Sequence, residues 1–373
     1  MRKGSFLQYF LLRENNGLLD QPYIITADPV MKIPHGIKKL VEAFKKSKEI
    51  SIGKEIDPKN GGEKDVTLKE KKLYIVGGAV RDYILNHTPK NYNIVTNAHP
   101  EEVKRIVQHA NPPIKLIEND TTGGKTVVQV DEDEFVIHTM KSGKGFTTNI
   151  KEDAENRDLT INGLYYDISG NKIIDYVGGI QNIKDGIIKT IKNPSEAIKD
   201  NPLLTFKAIK LLNTMKDAKI DPELQKAIDS QEDIEVPNHQ MKGEFIKGIE
   251  CPHCDLGKFM SSYSNHGLSD KVFPGMNVDT EIPPGFPKNR NLVFAYILRN
   301  NNPEEISDKL DGMGYSPREI KDIMYLVKLN SHHPVHNDKY KKELMGTSIT
   351  SRQMTDWAKF NNLPKDQIQG IYS

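Results

Sequence analysis

Cysteine is nearly absent: the chain has two, Cys251 and Cys254, in 373 residues. Two cysteines build no disulfide framework, and the scarcity suits a reducing compartment. The spacing Cys251-Pro252-His253-Cys254 invites a zinc site completed by His239 or His266, but no second Cys-x-x-Cys pair accompanies it. Two thiols beside a proline turn are the expectation. Long apolar runs are missing too. No stretch reaches the ~20 residues that a membrane-crossing helix needs. The apolar cluster Phe6–Leu12 is short and runs into Arg13-Glu14 with no small-residue cleavage site. Neither an anchor nor a signal peptide is expected. The expected location is the cytoplasm, or the host cytoplasm or virion for a viral chain. Net charge is the third absence: 52 basic and 51 acidic side chains leave +1. No global field gathers nucleic acid, so any RNA site must be a local patch.

What is present suffices for two or three packed units. Residues 1–34 form an N-terminal extension. Its apolar cluster serves either as a short helix on the protein's own core or as a docking peptide for a protein partner. Ile37, Leu40, Val41 and Phe44 lie at i, i+3, i+4, i+7 and predict a helix over 35–48. The Gly/Lys/Glu-rich stretch 50–70, with Gly61-Gly62, reads as a solvated loop. A buried strand, Leu73–Val76, then runs through Gly77-Gly78 into a helix carrying Val80, Tyr83 and Ile84 on one face. A strand follows at Tyr92–Val95, and a helix opens at Pro100-Glu101-Glu102, where proline and acids suit the first turn. Two hairpins are expected. One joins Thr126–Val130 to Glu134–Thr139 through Asp131-Glu132-Asp133, the other Leu164–Ile168 to Lys172–Tyr176 through Ser169-Gly170-Asn171. This is a small mixed sheet with helices on one side. From residue 181 strand signals stop and helical patterns take over, giving a head at 35–180, a helical neck at 181–240, a body at 241–332 and a tail at 333–373.

Paired glycines at a strand-to-helix turn bring bare backbone N–H groups close to a ligand, and a helix N-terminus favours an anion. Four segments follow in order: Ile75-Val76-Gly77-Gly78-Ala79-Val80-Arg81-Asp82 with Asn91-Tyr92-Asn93; Asn156-Arg157-Asp158-Leu159-Thr160-Ile161-Asn162; Asp175-Tyr176-Val177-Gly178-Gly179; and Asp200-Asn201-Pro202-Leu203-Leu204. Together they resemble the nucleotidyltransferase family of bacterial-type (class II) CCA-adding enzymes and poly(A) polymerases, over roughly residues 70 to 215. The resemblance implies an α+β fold: a polymerase beta-like head with a small mixed sheet, followed by an all-α neck, body and tail. It implies attack of an RNA 3′-hydroxyl on the α-phosphate of a nucleoside triphosphate, with two Mg²⁺ stabilising the attacking and leaving oxygens. It places Gly77, Gly78 and Arg81 at the phosphates, Arg157, Asp158 and Asn162 near the sugar, and Asp200 and Asn201 at the base edge. The expected partners are RNA (a tRNA or another 3′ end) and a nucleoside triphosphate.

The family's loop ends in Asp-x-Asp, whose carboxylates hold the metal, and the matching residues are Asn91 and Asn93. Residues two apart on a strand point to the same side, so the amides keep the geometry and lose both charges. The family's third acid aligns with the apolar Val136; Asp133 or Glu134 supplies one only in a shifted register, and His138 nearby reads as structural. No metal is expected as written, and Mg²⁺ only where the native residues are Asp. Asn156, Asn201 and Leu204 depart as well. Leu204, Ala208, Leu211 and Met215 form a stripe that reads as the neck's own core. The retained residues have plainer roles too: turn glycines, an Arg81–Asp82 pair, and Asp158 as a cap. Lys207 and Lys210 beside the stripe, followed by Lys216 and Lys219, offer either an RNA phosphate site or an ordinary solvated face. Three readings compete: an inactive family member serving as an RNA-binding or structural component; an active CCA- or A-adding enzyme with engineered Asp-to-Asn changes at 91 and 93; and a docking or virion protein with no nucleotide function.

Overall fold

The computed structural model describes residues 21–56, 62–143, 145–230, 236–332 and 338–363. The chain divides into two compact units, Met1–Pro194 and Ser195–Ser373. The apolar cluster Phe6–Leu12, and with it the docking reading, lies outside the described residues.

The first unit is organised by an eight-stranded sheet. In chain order its elements are β1 (Tyr23–Thr26), α1 (His35–Lys45), β2 (Ser51–Ile56), β3 (Glu63–Thr67), β4 (Leu73–Val76), α2 (Gly78–Ile84), β5 (Asn93–Thr96) and α3 (Pro100–Gln108). Then come β6 (Lys115–Asp120), β7 (Lys125–Val130), β8 (Asp133–Thr139), β9 (Lys141–Ser142), β10 (Gly145–Phe146), α4 (Ile150–Glu155), β11 (Leu164–Asp167), β12 (Lys172–Asp175) and α5 (Gly179–Asp185). The sheet order is β1-β12-β11-β4-β5-β8-β7-β6. Its one parallel pair is β5 with β8; the other neighbours run antiparallel.

Alternation along the strands sorts side chains onto two faces. Leu73, Ile94, Val128 and Ile137 meet Ile37, Leu40 and Phe44 of α1 and Val103, Ile106 and Val107 of α3. Full burial of each such aliphatic side chain contributes about 2 kcal/mol. Tyr74, Val76 and Val95 face the other way, against Tyr165, Met140, and Ala154 and Ile150 of α4. Helical residues therefore cover both faces, which corrects the expectation of helices on one side.

Four strands were not legible in the sequence. β1 pairs with β12 at the sheet edge, within the stretch read as an N-terminal extension. β6 extends the opposite edge through a bulge between Leu116 and Glu118. The stretch read as a solvated loop contains β2 and β3, which pair with each other. Every residue of β2 is exposed, so the ribbon has no buried face to print a period on the sequence.

The second unit is largely helical. Its helices are α6 (Pro194–Asp200), α7 (Leu203–Leu211), α8 (Pro222–Asp229), α9 (Asn238–Ile249), α10 (Leu256–Asn265) and α11 (Leu268–Val272), then α12 (Arg290–Leu298), α13 (Pro303–Gly312), α14 (Pro317–His332), α15 (Asp338–Met345) and α16 (Ser351–Phe360). Its aromatic centre is Phe245, whose ring contacts those of Phe259, Tyr263, Phe273 and Phe294 at 5.3 to 5.7 Å. A Cβ on Gly248 would sit 2.2 Å from the Phe259 ring, so this closeness of α9 and α10 requires glycine. Leu204, Ala208, Leu211 and Met215 are all buried, as the stripe predicted.

The two cysteines form a disulfide between α9 and α10, with Cα atoms 5.4 Å apart. This corrects the expectation of two thiols. The turn after α9 brings the residues within bonding range, and sulfurs bonded to each other are not zinc ligands. Among the described residues, no helix is long and apolar enough to cross a membrane.

Candidate functional site

Strand β4 is wholly buried and ends at Val76. Gly77 then turns the chain with φ +79°, in the region that favours glycine, and α2 begins. A Cβ on Gly78 would lie 3.3 Å from Arg81 Nη2, so the guanidinium packs across that glycine. Arg81 donates to Asp82 Oδ1 from Nε (3.1 Å) and Nη2 (2.8 Å). Its Nη1 donates to Asn162 Oδ1 at 2.9 Å. Asn162 ends the short 3₁₀ turn Thr160–Asn162. A Cβ on Gly179 would lie 2.2 Å from the Thr160 carbonyl oxygen, so that glycine lets α5 hold the turn in place. Two distant motifs thus meet through one arginine.

The register of β4 and β5 sets Val76 opposite Asn93. A Cβ on Gly77 would lie 3.5 Å from Asn93 Nδ2. Asn93 sits against the glycine turn, with Asn91 exposed two residues earlier. The parallel pair aligns Ile94 with Ile137, which puts Val136 beside Asn93 on the same face. Val136 is opposite Val127 on its other side and remains 37% exposed. Glu134 pairs with Gln129 one further alternation away, and Asp133 pairs with Val130. The shifted register that would bring either acid beside Asn93 is not the one formed. Mg²⁺ in this fold calls for anionic oxygen ligands, whereas the aligned positions offer two amides and a valine. Among the described residues, no group of three or more His, Cys, Asp or Glu side chains is arranged to hold a metal. The residues present do not fit the ion.

Arg157 is committed to the fold. Its Nη2 donates to Asp153 Oδ2 and its Nε to the Tyr165 hydroxyl, both at 2.8 Å. Tyr165 in turn donates to Asp153, whose other oxygen accepts the Lys141 N–H at 2.7 Å. The pattern Asp153-x-x-x-Arg157 marks an i, i+4 pair, a signal that sequence reasoning passed over. Asp158 accepts the Leu159 N–H at 2.8 Å, ahead of the 3₁₀ turn. Asn156 accepts from Lys192 Nζ at 3.0 Å.

His138 lies two residues beyond Val136, on the same face. The ring is exposed, yet desolvation by its neighbours and the nearby Lys141, Arg157 and Lys125 hold its pKa below the ordinary imidazole value, against a smaller opposing pull from Asp153. Protonation is therefore disfavoured in the fold, and a small stabilisation present above pH ~6.5 is lost as pH falls through that value toward the depressed folded pKa. An NMR titration of the His138 ring is expected to give a midpoint below ~6.5. A higher midpoint would mean that Asp153 dominates.

The remaining candidates lie in the second unit. Asp200 closes α6 and Asn201 follows it. The Asn201 carbonyl accepts the Leu204 N–H at 2.9 Å, and the Leu204 side chain is fully buried. Lys210 is not part of a solvated face: it donates to Glu244 at 2.5 Å, and Lys247 donates to the other oxygen at 2.7 Å. Glu244 is 4% exposed. Burial alone would raise its pKa, but the two ammonium groups hold it below the ordinary value. Lys207 is half-buried on the same helix, while Lys216 and Lys219 are exposed.

Residues 73–189 match the family model described as the poly A polymerase head domain. A CCA-adding enzyme of Bacillus licheniformis is 30% identical over 279 residues, spanning 69% of this chain and 68% of that protein. The fold is similar to that of the Bacillus stearothermophilus CCA-adding enzyme in complex with CTP (TM-score 0.61, 18% identity, 91% of this chain and 79% of that one). It is also similar to the Thermotoga maritima CCA-adding enzyme complexed with tRNA-CCA (TM-score 0.55, 16% identity, 94% and 84%). The head sheet, the glycine turn with its arginine and the sequence identity agree: the chain belongs to the class II CCA-adding enzyme and poly(A) polymerase family.

Proposed function

We propose that the chain is a family member without nucleotidyl transfer, acting as an RNA-binding component. The observation that carries this reading is the neutral row at the metal position: Asn93 beside Val136 in register on adjacent strands, with Asn91 two residues before. Phosphate positioning does not need those carboxylates. Gly77, Gly78 and Arg81 remain, with Arg81 oriented by Asn162. Solved relatives of the same fold carry CTP and tRNA in their complexes, which supports RNA and a nucleoside triphosphate as partner classes.

Binding is expected to rest on phosphate contacts from Lys207, Lys216 and Lys219. Lys210 is left out because it neutralises the buried Glu244. Filter binding of a tRNA at low and moderate salt is the test. Affinity should fall as salt rises, and Lys207→Glu with Lys216→Glu should weaken it uniformly across RNA sequences, lowering the salt slope by about one per lost phosphate contact. No measurable binding at low salt, or no change in the variant, would remove RNA from the reading.

The competing reading is an active RNA 3′-end transferase carrying Asp-to-Asn changes. It draws on the shape match of Asn to Asp and on the retained closeness of Asn93 to the Gly77 turn. It leaves Val136 and the buried Leu204 unexplained. The source gene's codons for 91 and 93 separate the two.

A further inference from the structure

We propose that Cys251 and Cys254 form a reversible thiol–disulfide exchange site that reacts with thiol reductants. The pair lies on the short loop between α9 and α10, with one cysteine more exposed than the other. Cys251 is half-buried, Pro252 and His253 are exposed, and Cys254 is 5% exposed. Above this loop sits a fixed cation. Lys288 Nζ donates to the carbonyl oxygens of Cys251 and Pro252, each at 2.9 Å, and of Cys254 at 2.5 Å. Three carbonyls on one ammonium hold the charge against the four-residue loop whichever state the sulfurs are in, because every acceptor is a backbone oxygen and none is a sulfur. A positive charge near a cysteine pair favours the thiolate and hence the reduced form.

Cys254 immediately precedes Asp255, whose carboxylate caps the ten-residue helix α10 by accepting the Lys258 N–H at 2.9 Å, so that helix end already holds an anion and Lys288 is the cation that favours the thiolate. On the other side, Glu250 is 3.8 Å from Arg290, so that carboxylate next to Cys251 has a cationic partner. The close approach of Gly248 to the Phe259 ring, one residue on each side of the loop, involves carbon atoms alone, so opening the S–S bond removes none of it.

The reaction balances with two thiols. The first attacks Cys251 Sγ as its thiolate, forming a mixed disulfide and releasing Cys254 Sγ as a thiolate that takes up a proton. The second attacks the mixed disulfide, freeing Cys251 as a thiol. Two electrons pass to the protein sulfurs, and the reductant leaves as its own disulfide.

The test uses the full chain equilibrated in glutathione redox buffers, then acid-quenched, labelled with maleimide and weighed by mass spectrometry. Two labelled thiols per chain are expected, appearing together across the glutathione range while far-UV circular dichroism stays constant. Lys288→Met should shift the equilibrium toward the disulfide by about three- to tenfold, the size of one screened charge beside a thiolate. Lys288→Arg, which keeps the charge, should shift it less. Cysteines that label only after unfolding would overturn the proposal. So would a Lys288→Met variant that folds and titrates like the parent, or stoichiometric capture of added Zn²⁺ by the reduced pair in place of reoxidation.

Discussion

Given a tRNA lacking its 3′ end, nucleoside triphosphates and Mg²⁺ or Mn²⁺, the chain is expected to add no nucleotide. Transfer in this family depends on metal held by carboxylates, and an ion pair at ~4 Å is worth roughly 4 kcal/mol at an effective dielectric near 20. Losing even one such pair lowers metal affinity by about three powers of ten. Here the aligned positions lack every such charge: Asn91 and Asn93 are amides, and Val136 beside Asn93 is apolar. Primer extension resolved on a gel is the measurement, with Mn²⁺ binding by electron paramagnetic resonance beside it. Extension by the chain as written would overturn the inactive reading and mean that other acids, such as Asp133 or Asp158, bind metal. The variant Asn91→Asp with Asn93→Asp should gain Mn²⁺ binding and still transfer nothing, since Val136 leaves it a carboxylate short and Leu204 is buried in the core. Transfer by that variant would favour the reading in which positions 91 and 93 were changed.

The parts of this site legible in the sequence are those where burial and backbone geometry restrict residue choice. Leu73–Val76 is apolar because the strand is buried throughout, and Gly77 is glycine because its φ is +79°. Such constraints write themselves into a short stretch, so the turn, and the strand behind Asn93, were found at once. Side-chain partners on elements distant in sequence leave no such mark. Nothing in the local sequence around Lys210 announces Glu244, 34 residues on. Arg157 looked available for a sugar because its motif carries that role in relatives, while its hydrogen bonds run to Asp153 and Tyr165. The edges failed for a different reason. β1 and the β2–β3 ribbon are mostly exposed, and an exposed strand owes its existence to backbone pairing that any polar sequence supplies.

Arg157 also supports the second large effect. Asp153→Ala is expected to destabilise the first unit by about 3–5 kcal/mol, because it leaves a largely buried guanidinium without its carboxylate. Asp153 is 6% exposed and accepts from three donors: Arg157, Tyr165 and the Lys141 backbone. Burial raises the Tyr165 pKa well above its ordinary value, so that hydroxyl remains a donor and gains nothing from an absent acceptor. Arg157→Leu alone removes the charge that Asp153 balances and should cost a comparable amount. The double variant should cost clearly less than the two summed, with about 1–3 kcal/mol of coupling, since neither charge is then left unpaired. Hydrogen exchange at β11 amides in dilute urea measures this within the unit concerned, without assuming that the whole chain unfolds in one step. If Arg157→Leu instead left exchange at Tyr165 unchanged while abolishing nucleotide binding, Arg157 would be a ligand contact rather than a strut. The residue would then hold the sugar in this chain as it is placed to do in the family, and its pairing with Asp153 would be incidental.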